Sequence, residues 1–285
     1  MNRTQRITAN WLLNSTLNGE SLLFEALLRR GFLVFRDNQG IWLGYGSHPA
    51  DISALRLIDG LEVQMVSGQA DRLAGIRLNP NSEIEAMDVA AAIVGLGENQ
   101  QLWTTVGAGP WVSGTWAGYC RMTWGAKLPV CPATTKNQFK VNNALDTGIA
   151  LFVKVLPLAR VATALSCDGH GIEPASVALH YPWDAPWGEA VFSVLGEATP
   201  NSEWLWHDCH LQIAPLHGFS DAEVSGMLND IQLRARSLLN QEIIARLGKA
   251  RRRTVEMFGG VAPSIESFAA ESKRQLSNEF PQHTK

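Results

Sequence analysis

The chain has 285 residues, 46% hydrophobic and 18% charged, enough apolar material for one large core or two modest ones and too much for a disordered protein. A formal charge of −3 at pH 7 excludes a global attraction to nucleic acid or anionic lipid, so any polyanion site must come from a local cluster. The longest apolar windows, such as Ala90–Val94 and Ile149–Val153, fall far short of the ~20 residues that cross a bilayer.

Met1–Ile7 leads into mixed polar and apolar residues instead of the apolar stretch of a secretion signal. Four cysteines, at 120, 131, 167 and 209, are too scattered for a disulfide scaffold and suit a reducing compartment. The expectation is a cytoplasmic protein with no membrane segment.

Leu22–Leu28 has helical apolar spacing and stops at Gly31, a left-handed cap. Phe32–Arg36, the tetrad Asp37-Asn38-Gln39-Gly40 and Ile41–Tyr45 read as a hairpin. A short helix over 51–58, a strand over 61–66 and a helix opened by the capping box Ser82–Glu85 and running to about Val94 follow. Tryptophans and glycines alternate from Trp103 to Trp124, which suits short strands and loops. Between Arg121 and Lys140 four basic residues, no acidic one, and Pro129 and Pro132 mark a linker.

Asp146–Leu156 reads as a helix, 161–165 as a strand running into a turn, and 177–180 as the next strand. The prolines of Tyr181–Gly188 predict a loop, before an apolar run over 190–195. Trp204–Trp206 and Leu211–Ile213 read as strands around His207-Asp208-Cys209-His210. The box Ser220–Glu223 opens a long amphipathic helix that runs past Gly248 to Gly259, and the polar tail beyond Ser272 is expected to fray. No repeat is visible in the residues. The pattern predicts an α/β or α+β fold: a mixed sheet with flanking helices and a long C-terminal amphipathic helix, divided into an N-terminal region (1–125) and a C-terminal unit (126–285).

The richest run is Ser166-Cys167-Asp168-Gly169-His170-Gly171, a thiol, a carboxylate and an imidazole on a glycine turn after a strand. Cys167, Asp168 and His170 contain the parts of a thiol nucleophile, a base and its orienting acid. Alternatively, Cys167 and His170 have the gap at which one turn offers two zinc ligands, with His207 and Cys209 as the other two. The bland alternative is a packed thiol, a glycine turn and a surface histidine. Lys249, Arg251, Arg252 and Arg253 could neutralise phosphates and Trp183 and Trp187 stack on bases, against the plainer reading of a solvated helix end and tryptophans that cover a core.

The pattern Thr163-x-x-Ser166-Cys167-x-Gly169-His170, between a helix and a strand, resembles the core of small proteins encoded by phages and mobile elements. It is also similar to the Ser-Cys-Ser-Gly-Arg turn of the wybutosine-type tRNA-modifying methyltransferases, with His170 where those have arginine. The resemblance covers residues 146–180, and no second motif for S-adenosylmethionine accompanies it. It implies a nucleic-acid- or nucleotide-processing protein of a phage, plasmid or defence setting, with nucleic acid or nucleotide as partner. The competing expectation, suggested by ten tryptophans, is a non-catalytic subunit that docks on a protein partner, with or without a structural zinc.

Overall fold

Gly31, at φ 98, ends a helix where expected, and the turn after Asp37 opens a hairpin. The computed structural model describes residues 1–44, 47, 49–67, 72–97, 116, 119–120, 145–179, 181–195 and 199–281. The first part comprises α1 (Arg3–Leu13), α2 (Gly19–Arg30), β1 (Val34–Asp37), β2 (Gly40–Gly44), α3 (Pro49–Leu55), β3 (Leu61–Met65), β4 (Arg72–Leu78) and α4 (Ala86–Gly95). The second comprises α5 (Ala150–Val155), β5 (Thr163–Cys167), β6 (Ala175–Leu179), α6 (Asp184–Leu195), β7 (Ser202–His207), β8 (His210–Pro215), α7 (Asp221–Ser237), α8 (Gln241–Phe258) and α9 (Ile265–Glu279). The class is α+β, and its strands form two separate antiparallel sheets, ordered β1-β2-β4-β3 and β5-β6-β8-β7.

The two orders are the same path taken twice: helix, hairpin, helix, hairpin, helix. α2 to α4 traces it once and α5 to α7 traces it again. Even the first helix end repeats. The Phe32 amide bonds the Leu27 carbonyl and the Gly31 amide that of Leu28; the Val161 amide bonds Leu156 and the Arg160 amide Pro157. Both strands then begin three residues after the left-handed position, which is Gly31 in one case and Arg160, at φ 65, in the other. The duplication lies in topology, where the residues themselves show no repeat.

Buried apolar side chains from both halves form one continuous core. A fully buried ion pair joins the halves, Lys154 Nζ on α5 standing 3.0 Å from Asp51 Oδ2 on α3. Glu25 on α2 accepts from Arg29 at 2.9 Å and from Arg236 on α7 at 2.6 Å. A Cβ added at Gly31 would lie 2.4 Å from the Ala150 Cβ, so glycine lets α2 end against the start of α5.

Several expected elements differ. α4 begins at Ala86, because Ser82 accepts from the Ile84 amide in a turn and caps nothing. Residues 184–188, expected in the loop, open a helix that runs on to Leu195: Pro186 sits in its first turn, where no intrahelical donor is required. The long C-terminal helix is two, since Asn240 caps a new one by accepting from the Glu242 and Ile243 amides. The tail is helical to Glu279, and α9 packs Phe268 and Leu276 into the core. The Trp/Gly-rich stretch, the linker and the 125/126 boundary lie outside the described residues, apart from helical Trp116, Tyr119 and Cys120. No helix among the described residues is long and apolar enough to cross a membrane.

Candidate metal centre

β5 ends at Cys167, in register with Ser176 of β6. Between them the chain turns through three consecutive left-handed residues, Gly169 (φ 70), His170 (φ 50) and Gly171 (φ 74). Only glycine fits at position 169, where a Cβ would lie 2.9 Å from the Pro174 backbone. A left-handed histidine carries a strain of about 1–2 kcal/mol, held here by the contacts around it. Asp168 supplies one of these, its Oδ1 accepting from the His170 amide at 2.9 Å. Arg3 of α1 supplies another, donating to the Gly171 carbonyl at 2.6 Å while pairing with Asp221 at the start of α7.

A second segment meets this turn from the residues just before α5. Gly148 donates to Asp168 Oδ2 at 3.2 Å, and Asp146 Oδ2 accepts from the Asp168 amide at 3.2 Å. Gly148 permits the approach, because a Cβ there would lie 2.6 Å from a Leu228 methyl and 3.1 Å from the Asp168 carboxylate. Asp146, Cys167, Asp168 and His170 then each offer a donor atom within 4.8 Å of the others. Cys167 Sγ is 3.7 Å from His170 Nε2, and His170 Nδ1 is 3.5 Å from Asp168 Oδ1. Asp168 has no solvent exposure, whereas the His170 side chain is 47% exposed.

The electrostatics favour a cation over a free thiolate. Burial pushes the Cys167 thiol up to about 11, opposed by the Gly169 amide and reinforced by Asp146, Asp168 and Glu173. The Asp168 carboxyl is also raised, by burial first and then by Asp146. Arg30 lies buried nearby; burial lowers its pKa to about 10 against the opposing pull of Asp51, Asp146 and Asp168, and its guanidinium donates to the Leu96 and Leu145 carbonyls. A thiol nucleophile needs a cation or helix N-terminus to lower its pKa, and Cys167 faces carboxylates instead.

The other predicted ligands are not brought here. Ser176, paired with Cys167, and Leu179, whose amide bonds the Cys209 carbonyl at 2.7 Å, mark opposite ends of β6. His207 and Cys209 therefore sit at the far end of the sheet, on the β7–β8 hairpin, where His207 stacks on His210 with ring centroids 6.0 Å apart. Asp146, which sequence reasoning placed at the start of a helix, takes the place assigned to them. Its spacing before Gly148 gave no sign of it, since only the packing of α5 brings it to the turn.

Most of the residues expected at a nucleic-acid surface are engaged inside the protein. Trp187 is fully buried and its indole N–H donates to the Ala159 carbonyl at 2.7 Å; Trp183, also buried, donates to Pro263. Neither presents a face to a base. Arg251 has no exposed surface and lies over the Tyr119 ring, 3.7 Å from its centroid. Lys249 and Arg253 both pair with Glu279, at 2.9 and 2.8 Å, because α9 packs along α8. Arg252 alone of the six remains exposed and without such a pair among the described residues. In comparisons with known proteins, no family model, no curated protein and no solved structure matches the chain.

Proposed function

We propose that the protein binds a divalent cation of the zinc class through Cys167, His170 and Asp146, with Asp168 orienting the imidazole. The observation that carries this reading is the 3.7 Å between Cys167 Sγ and His170 Nε2. Zinc sits ~2.3 Å from a thiolate and ~2.0–2.1 Å from an imidazole nitrogen, so two such ligands at a tetrahedral angle stand about 3.6 Å apart. The other ring nitrogen faces Asp168, as the imidazole of a metal-ligating histidine faces an outer carboxylate. Thiolate and imidazole select zinc over magnesium or calcium.

Three protein ligands and a solvent-facing fourth position is the arrangement of hydrolytic zinc sites, and the exposed edge of His170 supplies the access. The resemblance of the turn to phage-encoded and tRNA-modifying proteins favours a nucleic acid or nucleotide as the substrate, handled in the cytoplasm, where the thiol stays reduced.

Zinc titration of chelator-treated protein tests the reading. One equivalent should bind with release of about one proton, because the Cys167 thiol is protonated at neutral pH. Affinity should then rise about tenfold per pH unit below the thiol pKa, since one proton leaves per ion bound. His170→Asn, which keeps a residue tolerant of the left-handed turn, should weaken binding at least tenfold. Binding that is absent, or indifferent to that substitution, sinks the proposal.

A further inference from the structure

The geometry points to a second site: Arg160, Arg252 and the buried Arg251 form a receptor for a phosphate group, between the α5–β5 turn and α8. Arg160 occupies the left-handed position that the first half gives to Gly31. A glycine would relieve the strain there, yet the chain holds a long cationic side chain in its place. That side chain crosses α8 at Gly248, where an added Cβ would be 3.5 Å from Arg160 Nη2.

Arg251 supplies the second, independent observation. It has no solvent exposure, and among the described residues none of its three guanidinium nitrogens meets a hydrogen-bond acceptor. Aromatic rings surround it, with Tyr119 3.7 Å and Trp187 5.1 Å away. Trp187 also ties it to the turn, through the indole N–H bonded to the carbonyl of Ala159, the residue before Arg160. The carboxylate that faces Arg251 is Asp184, whose Oδ1 has no hydrogen-bond partner and whose pKa burial pushes up to about 7. A buried guanidinium that meets ring faces and no acceptor leaves a positive field that an anion bound nearby would balance.

Arg246 faces Glu242, Lys249 and Arg253 share Glu279, and Arg274 pairs with Glu271. Arg160, Arg251 and Arg252 have no carboxylate within ion-pair distance among the described residues. Burial lowers the Arg160 pKa, and repulsion from Arg252 and then Arg251 lowers it further. An oxyanion with several acceptor oxygens answers the excess charge: Arg160 and Arg252 bind it from the rim, while the enclosed Arg251 adds its positive field from beneath. The guanidinium fork matches a phosphate, and the site does not depend on the metal centre.

The ligand is either a free phosphate or one in a nucleic-acid backbone. The experiment uses chelator-treated full chain, so that its outcome is separate from metal binding, and reads the melting temperature and calorimetric binding of inorganic phosphate and of a single-stranded oligonucleotide. Phosphate should stabilise the wild type, and the effect should fall at least tenfold in apparent affinity in Arg160→Gly and in Arg252→Gln. Arg160→Gly keeps the left-handed turn, so the fold is retained, and Arg253→Gln, whose parent is already paired, should bind as the wild type does. An oligonucleotide that binds more tightly, displaces phosphate and loses affinity steeply with salt identifies a polymer backbone; phosphate binding without it identifies a small ligand. Neither probe binding, or Arg160→Gly binding as the wild type does, overturns the assignment.

Discussion

The two halves of the molecule follow one path and differ most where they turn between their first two strands. The first half crosses from β1 to β2 through Asn38 and Gln39, with Gln39 bonded to the Asp37 carboxylate. The second crosses from β5 to β6 through residues 168–174, and this longer turn carries Asp168 and His170. A second difference falls at the preceding helix end, Gly31 in one half and Arg160 in the other. The lesson is that the scaffold is held constant while chemistry is added at its turns. Both candidate sites, the metal centre and the arginine cluster, stand at positions where the second half departs from the first.

Breaking the joint between the halves should have the largest effect. Lys154→Met removes the buried cation that Asp51 faces at 3.0 Å, which should cost about 3–5 kcal/mol in chemical denaturation. Adding Asp51→Asn to it should cost less than the sum of the two single losses; strict additivity would show that the pair is not coupled.

Gly31→Ala drives a Cβ to 2.4 Å from Ala150 Cβ and imposes a left-handed alanine, so a loss of about 2–4 kcal/mol is expected. Arg160→Gly at the matching position should instead gain up to about 1 kcal/mol without added ligand, by relief of φ 65. Equal responses at the two positions would contradict their assignment to different tasks.

Local punctuation was legible in the residues. The stop at Gly31, the turn after Asp37 and the cap at Ser220, which accepts from Glu223 at 3.3 Å, each depend on neighbours within a few positions. Elements whose buried face is small or polar were not. α1 buries Thr4, Gln5 and Thr8, and α9 buries Ser272 and Gln275, so neither shows a clean apolar stripe. β4 carries no clear strand signal because Gly75 interrupts it, its side-chain space being taken by Trp42, whose ring would lie 3.3 Å from an added Cβ. Of the candidate site, Cys167, Asp168 and His170 share one turn and could be seen together. Asp146 arrives through tertiary packing, and His207 and Cys209 were assigned by ligand chemistry that carries no information on which end of β6 they occupy. Tryptophan content pointed to a binding surface, but Trp183 and Trp187 close the core beside Arg251.

The most direct test of the central claim is a cobalt(II) titration of the chelator-treated protein followed by absorption spectroscopy. A thiolate-to-cobalt charge-transfer band that saturates at one equivalent, with the intense visible bands of tetrahedral coordination, is the result this account predicts, and Cys167→Ser should abolish the former. A spectrum no different from cobalt in buffer, or one that persists unchanged in Cys167→Ser, would contradict it.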